Sequence, residues 1–321
     1  MARVFIDGFE SGGYDLWEER SGSPAVQAIS SGMDGVYQLY LGYQGGHYVR
    51  KLLPPAAEYW VAFRWICMGG SSDYVFTFLD PDGTVLGCLK ADTGVFTAVR
   101  GSSTLLASGT TSASGSTPFK LEIHYKPHAT AGVFQVKVNG VMEIDFTGNT
   151  GTTANIGKIM LGWTSDFNGE GKWDNIIVDD AEWVGDTMIQ ARVVNGAGDS
   201  TQWTPSTGAN YACVDEKPPS DTDYIRTNVA DNVDLFAVAA LGGSPETIKC
   251  VQVQARCKKE GAPPSQLKMA VKTGGTVYLS EDTGPKVGRY LSRYGIWPLN
   301  PSTGVAWLPS DSLQIGCKSV A

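Results

Sequence analysis

The sequence has few charged residues, only three histidines and no long hydrophobic run. Charged residues make up 18% of the 321 residues, against about 25% in an average soluble protein. No apolar stretch approaches the ~18 residues of a membrane-spanning helix, and the first residues lack the apolar segment of a secretion signal. Hydrophobic residues still reach 42% and aromatic residues 10%. The composition therefore excludes intrinsic disorder and predicts sizeable cores in a protein made in the cytoplasm.

The usual metal, redox and phosphate motifs are also missing. The six cysteines include no Cys-x-x-Cys pair, which argues against zinc and thiol redox motifs, so we expect reduced, buried thiols. His124 and His128 have the spacing of two zinc ligands on a helix, but residues 121–125 alternate as a strand does. No Gly-x-x-x-x-Gly-Lys-Ser/Thr phosphate loop occurs.

The charges are distributed unevenly along the chain. Residues 1–182 carry 12 Lys/Arg and 20 Asp/Glu, whereas residues 183–321 carry 13 of each. Neither half has a basic patch, so nucleic acid is not an expected partner. The break in charge, together with a length of about two typical domains, predicts two domains, 1–182 and 183–321.

Alternating apolar and polar runs, separated by Gly, Asp, Asn, Ser and Pro, predict strands and almost no helix. Asp80-Pro-Asp-Gly83 and Asn139-Gly140 each lie between two such runs and predict tight turns. In the first domain we predict strands at 4–6, 37–41, 59–66, 74–79, 85–89, 95–100, 119–125, 133–138, 141–146, 156–161 and 173–178. So many strands without helices predict a β-sandwich or jelly roll.

The second domain has longer loops between its alternating runs. We predict strands at 188–194, 235–239, 247–257, 267–272, 276–279, 289–294 and 313–320, and one helical turn near 310–313. The fold class predicted for the whole chain is all-β, with two β-sandwich (jelly-roll) domains.

Three segments of the first domain resemble concanavalin A-like and laminin-G-like jelly rolls. They are Phe5-Ile-Asp-Gly-Phe-Glu-Ser11 with Trp17, the hairpin at 136–141, and Trp173-Asp-Asn-Ile-Ile-Val-Asp179. The resemblance implies that the first and last strands of this domain pair with each other. It also implies a calcium ion, for which Asp166, Asn168, Glu170 and Asp174 offer oxygen ligands at alternate positions. No other cofactor is expected.

The second domain resembles a module of tailed-bacteriophage structural proteins. The resemblance rests on segments within 185–224, on Val251-Gln-Val-Gln-Ala-Arg256 and on the turn at 273–278. It implies a virion component, tail-associated or decorating the capsid, that assembles in the host cytoplasm. Other virion proteins and further copies of the chain are the implied partners.

Glu143 and Asp145 are the strongest candidates for catalysis. Residues i and i+2 of a strand face the same way, and glucanases of this fold place an acidic triplet at alternate positions. Thr147 occupies the third position here, so the second carboxylate of a retaining glycosidase is missing. We therefore expect no catalytic residues and a protein that is not an enzyme.

Aromatic residues leave two interpretations open, core packing or a sugar-stacking platform. The set is Trp17, Tyr40, Tyr43, Tyr48, Tyr59, Trp60 and Trp163. Alternation assigns Tyr59, Val61, Phe63 and Trp65 to the core. Tyr43, Trp203 and Trp297 are predicted surface contacts because they lie in predicted loops.

These observations predict a structural virion protein with lectin-like loops. The alternatives are a carbohydrate-binding adhesin or receptor-binding protein, with a host surface glycan as partner, and a glycoside hydrolase.

Overall fold

The computed structural model describes residues 3–29, 33–42, 46–69, 72–91, 94–115, 117–163, 170–239, 247–261, 263–281, 283–285 and 287–321. The chain is nearly all β, which confirms the predicted fold class. It divides into unit 1, Met1–Gln190, and unit 2, Ala191–Ala321. None of the described residues forms a helix of the length and apolarity that a membrane crossing requires.

The strands of unit 1 form two antiparallel sheets. They are β1 Arg3–Asp7, β2 Glu19–Ser21, β3 Ala25–Ala28, β4 Tyr37–Leu41, β5 Tyr48–Ala56, β6 Tyr59–Gly69, β7 Ser72–Leu79, β8 Val85–Ala91, β9 Val95–Arg100, β10 Thr104–Ser112, β11 Phe119–Lys126, β12 Gly132–Val138, β13 Val141–Gly148, β14 Ile156–Gly162 and β15 Glu170–Asp179. Sheet A has the order β13-β12-β11-β6-β15-β4-β3, and β1 also pairs with β15. Sheet B has the order β10-β9-β8-β7-β14-β5-β2.

The first and last strands pair as the resemblance implies. Phe5 lies opposite Val178, and Asp7 lies opposite Ile176. The predicted Asn139-Gly140 turn joins β12 to β13, and both residues take positive φ values, 51° and 84°. Asparagine and glycine tolerate this conformation best, which fixes the hairpin register.

Alternating side chains of the two sheets fill the space between them. The predicted core face Tyr59, Val61, Phe63 and Trp65 is buried, with 1% exposure or less. Phe63 stacks on Phe76 of sheet B with ring centroids 5.1 Å apart. Phe78 stacks on Tyr125 of sheet A at 4.7 Å. These aromatic contacts join the sheets into a sandwich.

Four strands of unit 1 were not predicted: β2, β3, β5 and β10. β5 contains Pro54 and Pro55 near its end, and proline normally argues against a strand. β10 is an edge strand of sheet B rich in Ser, Thr and Gly, so its sequence carries no strong alternation. No residue of β10 is fully buried, so the strand needs no alternating apolar face.

Unit 2 is built around one five-stranded sheet. Its strands are β16 Val194–Thr201, β17 Thr204–Pro205, β18 Ile225–Arg226, β19 Val233–Val238, β20 Val251–Cys257, β21 Gln266–Thr273, β22 Thr276–Leu279, β23 Leu291–Trp297 and β24 Gln314–Val320. Sheet C has the order β16-β19-β24-β21-β22, while β20 pairs with β23 and β17 with β18. The β20–β23 ribbon packs on sheet C around Val253, Met269, Val271, Trp297 and Trp307.

Two predictions for unit 2 are corrected by the structure. The first strand is Val194–Thr201, not 188–194, and residues up to Gln190 belong to unit 1. Val184 and Ile189 explain this division, because both pack with Ala62 and Ile177 of unit 1. The one short helix among the described residues is a 3-10 turn at Asn210–Cys213, and the chain near 310–313 forms a turn instead.

Candidate functional site

The outer face of sheet B carries the arrangement of side chains most suited to ligand binding. Phe76 and Phe78 of β7 point into the sandwich, so Thr77 between them points outward. The Thr77 hydroxyl contacts Cys88 Sγ at 3.6 Å, which places Cys88 on the same face. Gly87 faces the core, where an added Cβ would lie 2.8 Å from the Tyr125 ring.

Aromatic rings cover the centre of this outer face. The ring of Tyr74 stacks on the indole of Trp163, with centroids 3.7 Å apart and planes within 3° of parallel. Tyr48, Tyr74 and Trp163 pack over a buried apolar layer that consists of Leu79, Cys88, Val99 and Met160. Trp163 itself is 8% exposed, whereas Tyr48 and Tyr74 are half-buried and reach the surface.

Cationic side chains lie against these rings. Lys90 Nζ is 4.3 Å from the centroid of the Tyr74 ring, and the Arg50 guanidinium is 4.4 Å from that of Tyr48. Lys158, one strand from Arg50, also extends from this face because Ile159 beside it is buried in the core. Glu19 of β2 completes the set. We call Glu19, Tyr48, Arg50, Tyr74, Lys90, Lys158 and Trp163 the Trp163 face.

Glu19 holds two of the cations in place. Its carboxylate pairs with Lys158 Nζ at 2.9 Å and with Arg50 Nη1 at 3.2 Å. The hydrogen bond from Lys158 is the main cause of a lowered Glu19 pKa, so the carboxylate is ionised at neutral pH. Beneath the rings, burial raises the pKa of the Cys88 thiol to about 12. That thiol is therefore not a nucleophile at neutral pH.

Glu143 and Asp145 are not brought together as a catalytic pair. The Glu143 carboxylate accepts hydrogen bonds from the Thr110 and Thr111 amides, the latter at 2.6 Å, and so joins β13 of sheet A to β10 of sheet B. Asp145 instead accepts from Gln135 Nε2 at 2.8 Å. Partial burial raises the pKa of Glu143, but the amide hydrogen bonds outweigh it and the pKa is lowered.

A buried acidic cluster lies where β1 and β15 meet the residues before β4. Asp174 is 1% exposed, and its Oδ2 has no hydrogen-bond partner among the described residues. Burial, together with the nearby carboxylates of Glu10, Asp34 and Asp7, raises the pKa of Asp174 to about 8. Asp34 accepts hydrogen bonds from Arg64 Nε at 2.5 Å and Asn175 Nδ2 at 2.8 Å. A proton or a cation on Asp174 would relieve the repulsion.

The predicted calcium ligands are only partly described. Asp166 and Asn168 lie outside the described residues. Glu170 accepts a hydrogen bond from the Tyr40 hydroxyl at 2.9 Å, while Asp174 faces the acidic cluster. No group of three His, Cys, Asp or Glu side chains in the described part of the chain is arranged to hold a metal ion. The orphaned Asp174 oxygen is the feature that best fits a cation, and calcium at the predicted ligands stays a prediction.

The predicted surface aromatic residues take different positions. Trp297 lies in the core of unit 2 with 8% exposure, because it ends β23 rather than occupying a loop. Trp203 is half-buried against the same core and donates its indole N–H to Asn232 O at 3.1 Å. Tyr43 lies outside the described residues. Of the seven aromatic residues considered for a sugar platform, Tyr48 and Trp163 occupy the Trp163 face.

Comparison with known proteins gives similar folds at low identity. No protein-family model matches the sequence, and no curated protein matches it. The solved structure of cellulose-induced protein Cip1 is similar at 14% identity, with a TM-score of 0.44, over 57% of this chain and 100% of that one. Alginate lyase Aly36B gives 16% identity and a TM-score of 0.36 over 47% and 83%. Carbohydrate-binding module CBM66 from Bacillus subtilis gives 9% and 0.33 over 49% and 92%. At these values the likeness concerns the fold alone.

One prediction is contradicted by these similarities. The similar structures include alginate lyases and sialidases, which are enzymes. The prediction that the protein is not an enzyme, which was made from the missing second carboxylate at Thr147, is contradicted by these structures. None of the structures named here is described as a virion protein. Virion membership accordingly rests on the sequence resemblance alone.

Sequence reasoning missed most of the Trp163 face. Tyr74 was assigned to a strand without a functional role, and Glu19 and Arg50 lie on strands that were not predicted. The missing information is the strand order, since β7, β14, β5 and β2 are successive neighbours in sheet B although no two of them are consecutive in the chain. The apolar-polar spacing Tyr48-x-Arg50, which puts both side chains on one strand face, is the local signal that was available.

Proposed function

We propose that unit 1 is a glycan-recognition domain and that the Trp163 face is its binding surface. The observation that carries the proposal is the Tyr74–Trp163 stack with Lys90 and the Tyr48–Arg50 pair beside it, on one open sheet face. Sugar rings have apolar faces that pack on aromatic rings, and charged side chains hydrogen-bond their hydroxyl groups.

The arrangement of the face supports this function over a purely structural role. Tyr48 and Tyr74 are half-buried on a layer that is already buried beneath them, so their outer surfaces are not needed to fill the core. The buried layer holds the rings in position before a ligand arrives, which reduces the entropy lost on binding. Binding and cleavage of a glycan both fit such a surface.

A glycan array followed by titration of the best ligand tests the proposal. We expect Tyr48→Ala and Tyr74→Ala each to weaken binding about 5- to 10-fold, the loss of one aromatic contact of roughly 1 kcal/mol. The same samples are assayed by chromatography for released oligosaccharides, which separates binding from cleavage. Absence of binding and of cleavage on a broad glycan panel contradicts the proposal.

Trp60→Ala is the matched control. Trp60 is also a half-buried ring on a sheet face, but on sheet A, where it stacks on His124 with centroids 4.1 Å apart. The Trp60→Ala substitution should leave the affinity for glycan unchanged. An equal loss in the Trp60 variant would mean that the effect comes from the stability of the sandwich rather than from the Trp163 face.

We further propose that the glycan-recognition domain is carried on a tailed-phage particle, together with other virion proteins and further copies of the chain. The sequence resemblance of unit 2 to phage structural modules supports this placement. Mass spectrometry of purified particles tests it. Detection of the chain at stoichiometric copy number supports the placement, and its absence from the particles refutes it.

A further inference from the structure

The charges on the Trp163 face identify the class of glycan that it suits, an inference that rests on the proposed function. We propose that the ligand is an acidic polysaccharide, whose carboxylate or sulfate groups meet Arg50, Lys90 and Lys158. Carboxylates and sulfates share the chemistry that these cations recognise, namely an anionic group with several hydrogen-bond acceptor oxygens.

The charge on this face is opposite to that of its domain. Among the residues that the structure describes, the side chains that define the Trp163 face are three cations, the carboxylate of Glu19 and three aromatic rings, whereas residues 1–182 carry 12 Lys/Arg against 20 Asp/Glu. A group of cations on one face of an acidic domain attracts anions locally. A neutral glycan would gain nothing from this separation of charge.

The cations are spaced to contact an extended chain. Lys90 pairs in register with Tyr74, and Arg50 pairs with Met160. Lys90 lies on β8 and Arg50 on β5, with β7 and β14 between these strands. The distance across the sheet is three strand spacings of about 4.8 Å, or roughly 14 Å in total. A ligand that reaches both cations must therefore be an oligosaccharide rather than one sugar. Tyr74 lies on β7 and Trp163 follows β14, the two strands between these cations, and Tyr48 lies beside Arg50 on β5. The three rings supply the stacking surface.

Glu19 holds Arg50 and Lys158 in place without occupying all of their hydrogen-bond donors. Arg50 contacts Glu19 through Nη1 and Met160 Sδ through Nε. A guanidinium has five N–H donors, so these two contacts occupy some of the donors of Arg50. An incoming carboxylate would compete with Glu19 for the same cations. Removing the Glu19 charge should consequently strengthen the binding of an anionic ligand.

The experiment compares three polymers, polygalacturonate, dextran sulfate and neutral dextran, in low and high salt. We expect both acidic polymers, or polygalacturonate alone, to bind at least about 5-fold more tightly than dextran in low salt, with the difference reduced in high salt. Binding of polygalacturonate alone identifies carboxylate as the group, and binding of both acidic polymers identifies anionic charge in general.

Four variants test whether the preference for acidic polymers depends on the Trp163 face. Arg50→Gln and Lys90→Gln should each weaken binding of the acidic polymer about 5-fold, whereas Glu19→Gln should strengthen it. Lys120→Gln is the control, because Lys120 lies on sheet A and pairs with Asp186 at 2.9 Å. Melting temperatures of all variants confirm that the fold is retained.

Three results distinguish a failure of the inference from a failure of the proposed function. If dextran or another neutral glycan binds as tightly as the acidic polymers, the acidic preference is refuted and glycan recognition by the Trp163 face stands. If an acidic polymer binds but Arg50→Gln, Lys90→Gln and Lys120→Gln weaken it equally, binding reflects general charge attraction and the inference is refuted. If no glycan binds, the proposed function itself fails.

Discussion

The indole N–H of Trp173 donates a hydrogen bond to the carbonyl oxygen of Val75 at 2.9 Å, across the sandwich of unit 1. Trp173 lies on β15 of sheet A and Val75 on β7 of sheet B, and both residues are fully buried. The bond therefore fixes the two sheets relative to each other at the centre of the core. Its donor and acceptor have no access to water, which makes the pair costly to break.

Replacing Trp173 by Phe should destabilise unit 1 by about 2 to 4 kcal/mol, since the Val75 carbonyl loses its partner and a cavity forms. Urea unfolding measured by tyrosine and tryptophan fluorescence gives the change. Trp60→Phe is the control, because Trp60 is half-buried on an outer face, and it should change the stability by less than half as much. Equal losses of unfolding free energy in the two variants would show that the hydrogen bond between Trp173 and Val75 contributes no extra stability.

The acidic cluster should make unit 1 less stable as pH rises. The pKa of Asp174 is about 8 and that of Asp7 about 6 in the folded state, mainly because of burial. Both lie above the ordinary value near 4, so the folded state binds protons more tightly than the unfolded state. Stability then falls as pH rises through this window, by at least about 2 kcal/mol between pH 5 and pH 8. Melting curves against pH measure it.

Asp174→Asn distinguishes a proton from a cation at the cluster. If a proton neutralises Asp174, the variant should be more stable than the wild type at pH 8 and should show a flatter pH profile. If a calcium ion does so, EDTA should lower the melting temperature of the wild type, and the variant should behave like the EDTA-treated protein. A variant with unchanged stability and unchanged pH profile would contradict both explanations.

Glu143→Gln should weaken the join between the edges of the two sheets. The carboxylate accepts two backbone amides and the Thr111 hydroxyl, and a neutral amide oxygen replaces these charge-assisted bonds poorly. We expect a loss of about 1 to 2 kcal/mol in the free energy of unfolding. Because the pKa of Glu143 is lowered in the folded state, this contribution is present at neutral pH and is lost as pH falls through that pKa.

The control for Glu143 is Asp145→Asn, since Asp145 is exposed and accepts an exposed hydrogen bond from Gln135. It should change stability by less than about 0.5 kcal/mol. Neither variant should alter glycan binding or cleavage. A loss of either activity in Glu143→Gln at unchanged stability would return this residue to the candidate site.

Asp234 should be the corresponding weak point of unit 2. It is fully buried and accepts hydrogen bonds from the Trp203 amide at 2.8 Å, from the Gln202 amide at 2.5 Å and from Asn210 Nδ2. Asp234→Ala leaves these donors unpaired and should cost about 3 kcal/mol. Asp199→Asn, which removes an exposed partner of Lys272, is the control and should be nearly neutral. Limited proteolysis followed by mass spectrometry should show the loosening in unit 2.

Local patterns of unit 1 were sufficient to predict most of its strands. The alternation in residues 59–65 identifies a core face, and Asn139-Gly140 fixes a hairpin, because strand geometry repeats every two residues and tight turns need positive φ. The strands that escaped prediction carry proline or many small polar residues, such as β5 and β10. Burial there depends on the neighbouring strands and not on the residues alone.

Individual site residues were far less predictable. The residues that flank Trp297 have the composition of an exposed loop, yet Trp297 ends a strand and lies in the core of unit 2. Glu143 and Asp145 show the spacing of a catalytic pair, yet one joins two sheet edges and the other lies on an outer face. Residue type and spacing show which interactions a side chain can make. The neighbours that the fold places around the side chain decide whether it stabilises the structure or is available to a ligand.

The sequence alone determined the β class and the composition of each strand face, because these follow from the two-residue period of an extended chain. Only the tertiary structure decided that Glu19, Arg50, Lys90 and Trp163 share one surface and that Asp7, Asp34 and Asp174 share one cluster. These residues lie on strands or loops far apart in the chain, and strand order, which depends on long-range pairing, brings them together.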